Sequence, residues 1–421
     1  MGDWNHYQLK DIAYVNMGQS PAGSSVNENE DGAAFLQGNA DFGEYHPCEQ
    51  FWCSSPKKIA QKDDIMISVR APVGAVNVAD KNYCIGRGLA SITFKICKAF
   101  ALYALTYEVP QLHKKSQGST FLAVNKKDIE EMLLNCPTDL LEQEKISRIL
   151  QTLDSSIIKT KAIIEKYQSI KEGLLQDLLV NGIDENGVIR SPKTHKYKDS
   201  PLGKIPVEWE CVELTEWSTK HSDSIVDGPF GSNLKLVHYR SSGIPVIQSG
   251  YVTSGHFVAN NYVYVDMEKF REQYRCRVNP KDIVMAKIGA NCGRSAVLPE
   301  NHPQSIIAGN SLKITVNKQY VPELLHEFLE YYYAQGKFEL IKAVTAQPAI
   351  SLSNLKKMKI VLMSAPEQKR IWEKIDAINK MIMEEKIIYH KLLSTKTGLM
   401  QDLLTHKVPV DPLVERSVEN E

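Results

Sequence analysis

The sequence predicts an α+β protein with an internal repeat. Two α/β globules are separated by two long helices, which pack as an antiparallel coiled coil under pseudo-twofold symmetry. Three observations carry this prediction. A segment beginning at Glu142 recurs without a gap from Glu367, at an offset of 225, with fifteen identical positions through Leu179 and Leu404. Short β-like runs broken by Gly, Pro and Asn precede each copy. A stretch rich in Gly and Pro follows the first copy.

The elements follow in chain order: a first globule (1–137), a repeat helix (138–181), a linker (182–206), a second globule (207–365), a second repeat helix (366–406) and a polar tail (407–421). Ile65–Val69, Tyr262–Val265 and Ser311–Val316 read as strands, and Val321–Ala334 as a helix. In the first repeat Ile146, Leu150, Leu153, Ile157, Ile164, Tyr167, Leu174 and Leu178 recur at spacings that are sums of three and four. Ile371, Ile375, Ile378, Ile382, Tyr389, Leu392, Leu399 and Leu403 match them in the second. One apolar stripe on an otherwise charged helix describes a coiled-coil seam, and nearly forty residues give a rod on the order of 55–60 Å. Gly173 and Gly398 interrupt the pattern at equivalent places. They read either as helix breaks or as points of close backbone contact, between the rods or with a partner. The globules repeat more faintly. Trp4 and Leu9 parallel Trp209 and Leu214 at an offset of 205, Asp64-Ile65-Met66 parallels Asp282-Ile283-Val284 at 218, and Gly74 parallels Gly293 at 219. The rising offset means longer loops in the second globule.

The 421 residues exceed one domain, and 43% apolar with 24% charged residues exclude wholesale disorder. Fifty basic side chains balance fifty acidic ones, so binding to nucleic acid has to come from local asymmetry. The N-terminus does not read as a secretory signal, no apolar run is long enough to span a membrane, and eight scattered cysteines without a CxxC pair read as reduced thiols. A cytoplasmic protein is expected. Catalytic signatures are missing: there is no phosphate-binding GxxxxGK[ST], no HExxH, no GxGxxG between strand and helix, and no amino-methyltransferase signature. Asp139, Glu142 and Glu144 cluster at a predicted helix start, where acids stabilise the dipole. No metal site is expected.

Binding fits better. Residues 1–137 carry 13 basic and 15 acidic side chains, whereas 185–365 carry 22 and 17. Arg271, Arg275, Arg277, Lys281, Lys287 and Arg294 concentrate charge of the kind that neutralises phosphates. Base reading needs Arg, Lys, Asn, Gln and Ser on loops able to enter a groove. The candidates in the first globule are Gln19, Ser20, Gln37, Asn39, Arg70 and Arg87. Those in the second are Ser232, Asn233, Lys235, Lys287, Asn291 and Arg294.

Several motifs resemble the specificity subunit of type I restriction–modification systems. Leu141-Glu142-Gln143 and Pro366-Glu367-Gln368 open the rods, and Gly-Leu-x-Gln-Asp-Leu-Leu blocks close them. Ser200-Pro201-Leu202-Gly203-Lys204-Ile205-Pro206 leads to Trp209, and Asp227-Gly228-Pro229-Phe230-Gly231-Ser232-Asn233-Leu234-Lys235 resembles a run inside the family's target-recognition domains. In the first rod the proline is Pro137 rather than a neighbour of Glu142. The resemblance implies a non-catalytic DNA reader with no cofactor of its own. Each globule would be a target-recognition domain for one half of a split site. The rods would set the spacer and dock two methyltransferase subunits, which would hold S-adenosylmethionine and modify adenine. Restriction subunits would complete the complex. A coiled-coil scaffold bridging two proteins without touching DNA is the competing reading, and an enzyme active alone is a third.

Overall fold

The computed structural model describes residues 3–112, 123–229, 231–259, 261–343 and 347–410, so most of the expected polar tail lies outside the described residues. The chain divides into two compact units: Met1–Ile163 with Glu385–Glu421, and Ile164–Glu384. Each contains one mixed α/β lobe and a portion of each of two long helices, Leu140–Val180 and Ala365–Leu404.

In chain order the first lobe has strands β1 (Trp4–Gln8), β2 (Ala13–Met17), β3 (Val26–Asn27), β4 (Ala33–Leu36), β5 (Phe51–Cys53), β6 (Ile59–Ala60), β7 (Ile65–Ser68), β8 (Val76–Val78), β9 (Tyr83–Ile85), β10 (Leu89–Phe94) and β11 (Leu133–Pro137). One sheet is ordered β2-β10-β7-β8 and is antiparallel throughout. The other, β3-β5-β4-β9-β6, contains the parallel pair β4/β9. The run Ile65-Met66-Ile67-Ser68 is buried along its whole length, as expected for an apolar strand covered on both faces. Helix Lys98–Glu108 follows β10, and β1 pairs with β11, so the chain enters and leaves the lobe side by side.

The second lobe repeats this plan. It has a hairpin, β12 (Tyr197–Ser200) and β13 (Gly203–Pro206), then β14 (Glu210–Glu213), β15 (Ile225–Asp227), β16 (Ile244–Ile247), β17 (Val263–Val265), β18 (Arg277–Val278), β19 (Ile283–Ala286), β20 (Ser295–Val297), β21 (Ser305–Ile307), β22 (Ser311–Ile314), β23 (Lys342–Ala343), β24 (Ala349–Ile350) and β25 (Lys359–Leu362). Its sheets, β15-β22-β19-β20 and β17-β16-β21-β18, keep the same order except that no strand stands in the place of β3, and β16/β21 is the parallel pair. Helix Pro322–Ala334 follows β22, and β14 pairs with β25.

The Glu-Gln pairs that open the long helices are structural. Trp4 Nε1 donates to Glu142 Oε1 at 2.9 Å, and Trp209 Nε1 donates to Glu367 Oε1 at 3.0 Å. Gln143 donates to the Pro137 carbonyl and accepts from Cys97 N–H, the residue just before helix Lys98–Glu108. Gln368 likewise donates to Met363 and accepts from Val321 N–H, just before helix Pro322–Ala334. Each pair ties strand, lobe helix and long helix together. Glu367 is also bound by Arg190, and both are buried. Removing the carboxylate would leave the buried guanidinium with only the half-exposed Glu208, 3.7 Å away, as its acid, a loss on the order of 3 kcal/mol.

The stretch read as a linker is ordered. Gly182 turns the chain at φ +68°, Ile183 enters the second unit's core, and β12/β13 follow. Pro192 and Pro201 lie in turns, and Gly203 and Pro206 bound β13. The helix-break reading of Gly173 and Gly398 is overturned, since both long helices run through them. Close contact within the chain fails too, because a methyl group at either position would meet nothing within 4 Å.

The seam residues are buried to different depths. Ile146, Leu150 and Leu403 lie in the first unit's core with Leu399 packed against it, and Leu178, Ile371 and Ile375 lie in the second unit's core with Leu174 against it. Ile157, Ile378 and Ile382 are buried, and Leu153 is half-buried. In the first unit Lys396 pairs with Asp154.

Candidate nucleic-acid interface

In the first lobe four loops meet at the end of the parallel pair β4/β9. Gly18 N–H donates to the Leu89 carbonyl and Gln19 N–H to Ile85, both at 2.9 Å, while Gly86 N–H donates to Leu36 at 2.7 Å. Arg87 N–H approaches Ser20 Oγ at 3.4 Å. A side chain at Gly18 would strike the Gly86 carbonyl, and one at Gly88 would strike the Gln37 carbonyl, so glycine is what lets these backbones close up. Gln37 is the first residue beyond β4, and the Asp41 carboxylate accepts from its N–H at 2.6 Å. Arg70 lies on the adjoining loop, where Val69 N–H donates to the Gly88 carbonyl. The edge therefore gathers Gln19, Ser20, Gln37, Arg70 and Arg87. Asn39 sits in the single 3-10 turn Asn39–Asp41 just after Gln37. Gln19, Gln37, Arg70 and Arg87 are exposed.

The second lobe has the same edge. Gly228 N–H donates to Ser311, Ala308 N–H to Ile247, and Lys287 N–H to Asn310, matching Gly18/Leu89, Gly86/Leu36 and Val69/Gly88. A methyl at Gly228 would collide with the Ala308 carbonyl. Gln248 is the first residue beyond β16, in the place of Gln37, and Asn310 stands where the first lobe has Gly88. Sequence reasoning missed both. The spacing between equivalent positions drifts from 210 at Gly18/Gly228 to 222 at Gly86/Ala308, which hides the correspondence from any fixed-offset search.

Three cations of the second lobe, Lys287, Arg275 and Arg294, are held by acids. Lys287 Nζ lies 2.7 Å from Asp227 Oδ2, with Arg275 at 3.9 Å from the other oxygen, and Arg294 pairs with Glu330 at 3.2 Å. Contact of Lys287 or Arg294 with DNA would compete with these pairs. Asn233, Lys235 and Asn291 are exposed; the backbone of Ser232 is in the turn Gly231–Asn233, but its side chain lies outside the described residues, as does Phe230.

Among the described residues no group of three or more His, Cys, Asp or Glu is placed to hold a metal ion. Among those residues, too, no helix is long and apolar enough to cross a membrane. A cleft of about 350 Å³ beside the start of the second long helix is lined by Glu208, Glu210 and Tyr320. Its acidic mouth does not suit a polyphosphate chain.

The profile of the type I restriction modification DNA specificity domain matches residues 1–168 and again 206–390, one copy for each lobe with part of its long helix. The chain belongs to this family. The resemblance read from the rod-opening and rod-closing motifs is thereby borne out. Among relatives of the type I specificity family, the chain is 38% identical over 186 residues to the putative type I restriction enzyme MjaX specificity subunit of Methanocaldococcus jannaschii, covering 43% of this chain and 44% of the relative. It is 26% identical over 329 residues to the MjaVIII specificity subunit of the same organism, covering 75% and 71%. The chain thus spans less than half the length of the first relative. In fold it is similar to the S subunit of a type I restriction–modification system from M. genitalium, with TM-score 0.61, 16% identity and 96% of each chain covered. A second solved structure, from work on complex assembly and conformational transition of the type I R-M system, gives TM-score 0.58, 13% identity and coverage of 96% and 97%.

Proposed function

We propose that this chain is the DNA sequence-specificity subunit of a type I restriction–modification complex and carries no catalytic role itself. Residues 1–137 and 207–365 act as target-recognition domains, each reading one half of a bipartite site. The helices 138–181 and 366–406 form an antiparallel coiled coil that sets the spacer and docks two methyltransferase subunits. Double-stranded DNA, those subunits with their S-adenosylmethionine, and restriction subunits are the partners. The observation that carries this reading is the twice-built loop edge: one backbone device presenting different polar side chains in each lobe, as halves of different sequence require. The long helices also leave apolar side chains open to solvent, among them Ile158, Ile387 and Ile388 in the first unit and Ile170, Met381 and Met383 in the second. Such side chains suit a protein partner.

The test is methylation and binding by the chain assembled with its methyltransferase subunit. A bipartite recognition sequence and salt-sensitive, sequence-selective binding are expected. Replacing Lys287 by Ala should weaken or relax only one half-site, by about 1–3 kcal/mol if the contact is bidentate to a base. Persistent lack of sequence preference would favour the scaffold reading, and methyl transfer by the chain alone would favour an enzyme.

A further inference from the structure

The loop leaving β15 carries a feature that none of the polar candidates explains. Leu234 and Tyr239 pack against the core below the loop, and between them lies one 3-10 turn, Leu236–His238. The turn is tied at every corner. Lys235 N–H donates to His238 Nδ1 at 2.9 Å, His238 N–H to the Lys235 carbonyl at 2.9 Å, and Tyr239 N–H to Leu236 at 3.0 Å. Arg240 donates to the Val237 and Tyr239 carbonyls at 2.9 and 3.1 Å while its other nitrogen holds Asp266 at 3.0 Å. This pinned turn presents Leu236 at 83% and Val237 at 72% exposure. Among the described large apolar side chains only Leu340, at 85%, is more open than Leu236.

The first lobe builds the same turn without the apolar tip. Gly23–Ser25 follows β2 as Leu236–His238 follows β15, and is closed by Val26 N–H on the Gly23 carbonyl. Beyond it Val26 and Asn27 pair with β5, just as Arg240 bridges Tyr264 on the equivalent strand β17. One backbone device therefore carries Gly-Ser-Ser in one lobe and Leu-Val-His in the other. Backbone geometry does not demand the aliphatic pair, and keeping it in water forfeits the gain of burial.

We propose that Leu236 and Val237 form an apolar finger that reads DNA by van der Waals contact with the C5-methyl group of thymine. This rests on the reading of the second lobe as a DNA-binding domain. Of the groups a base pair shows in the major groove, the thymine methyl is the apolar one. The loop springs from the edge that holds Lys287 and Asn310, and exposed Asn233 and Lys235 flank the tip with a hydrogen-bonding group and a positive charge suited to a polyanion.

The experiment uses the full chain assembled with its methyltransferase subunit on a duplex bearing its recognition sequence. Thymines are replaced one at a time by deoxyuridine, which removes only the methyl group. The wild-type complex should bind roughly fourfold more weakly at one or two thymines, all in one half-site, the loss expected for one buried methyl. The variant L236G/V237S copies the first lobe's turn. It should bind thymine and uracil duplexes alike at that half-site, with the other half-site and the thermal melt unchanged. A wild-type complex indifferent to every thymine methyl would overturn the proposal, as would a variant that keeps the wild-type discrimination. Weakened association with the methyltransferase at unchanged discrimination would also overturn it, assigning the finger to a protein contact. Absence of any sequence-selective binding by the wild-type complex would instead defeat the DNA-reading assignment on which the proposal stands.

Discussion

At the residue scale, a polar network ties helix Pro322–Ala334 to the second lobe at Gly255, Arg294 and Ser295. His326 is half-buried on helix Pro322–Ala334, with Nε2 3.1 Å from the Gly255 carbonyl and Nδ1 3.0 Å from Ser295 Oγ. One turn on, Glu330 accepts from Ser295 N–H at 2.8 Å and pairs with Arg294, while Glu327 pairs with Lys171 on the first long helix. Burial holds the imidazole below its ordinary value of 6.5, against the opposite pull of Glu327 and Glu330. The unfolded chain therefore takes up this proton before the folded one does. The group contributes stability above 6.5 that is lost as pH falls through that value towards the lower folded one. His302, also lowered by burial, acts in the same direction. The calorimetric midpoint of the second unit should drop between about pH 7.5 and about pH 5.5. His326→Gln, whose side-chain amide can still donate to Gly255 and hydrogen-bond to Ser295, should show a smaller drop. An equal drop in the variant would mean that other groups carry the acid response.

At the element scale, the two long helices are what the sequence displayed most openly. A gapless repeat with a single apolar stripe leaves few alternatives, and both elements run where the pattern placed them. Strands at Ile65–Ser68, Val263–Val265 and Ser311–Ile314 and the helix at Pro322–Ala334 were also legible, because apolar runs bounded by turn residues dictate them locally. Less of the site could be read. That Gln19, Gln37 and Arg87 share one edge depends on a parallel pairing between strands about fifty residues apart, which no local pattern encodes. The tryptophan-to-glutamate bonds did leave a trace, since Trp4/Trp209 and Glu142/Glu367 are each kept across the duplication. Residues repeated together at different offsets were the signal to pair. The exposed helical glycines supply an element-scale prediction. Gly173→Ala and Gly398→Ala should each stabilise the chain by about 0.5–1 kcal/mol, measured by denaturant melts, since nothing crowds the added methyl. Weaker assembly with the methyltransferase subunit in the same variants would place the partner's backbone against these glycines.

At the scale of the whole molecule, a neutral chain distributes its charge and its cores unevenly. The excess of basic residues lies in the second lobe, yet Lys287, Arg275 and Arg294 are tied to acids there. Sequence selectivity should therefore rest on amides, exposed Lys235 and apolar contact as much as on net charge. The first unit, in turn, is closed by the far end of the chain. Leu403, Leu404 and Val410 enter its core, and His406 stacks on Trp4 with ring centroids 4.9 Å apart. A chain ending at residue 395 should keep the second unit folded and lose the first. Limited proteolysis read by mass spectrometry would then find 164–384 protected and 3–163 cut. Protection of both regions would show that the first core closes without the end of the last helix.

The same closure sets a timetable for synthesis. All of Ile164–Glu384 is translated before the helix end that seals the first lobe. The half of the protein made first is thus the half finished last. Until Leu403 and Leu404 arrive, its apolar interior stands open in the nascent polypeptide, where a chaperone would find it.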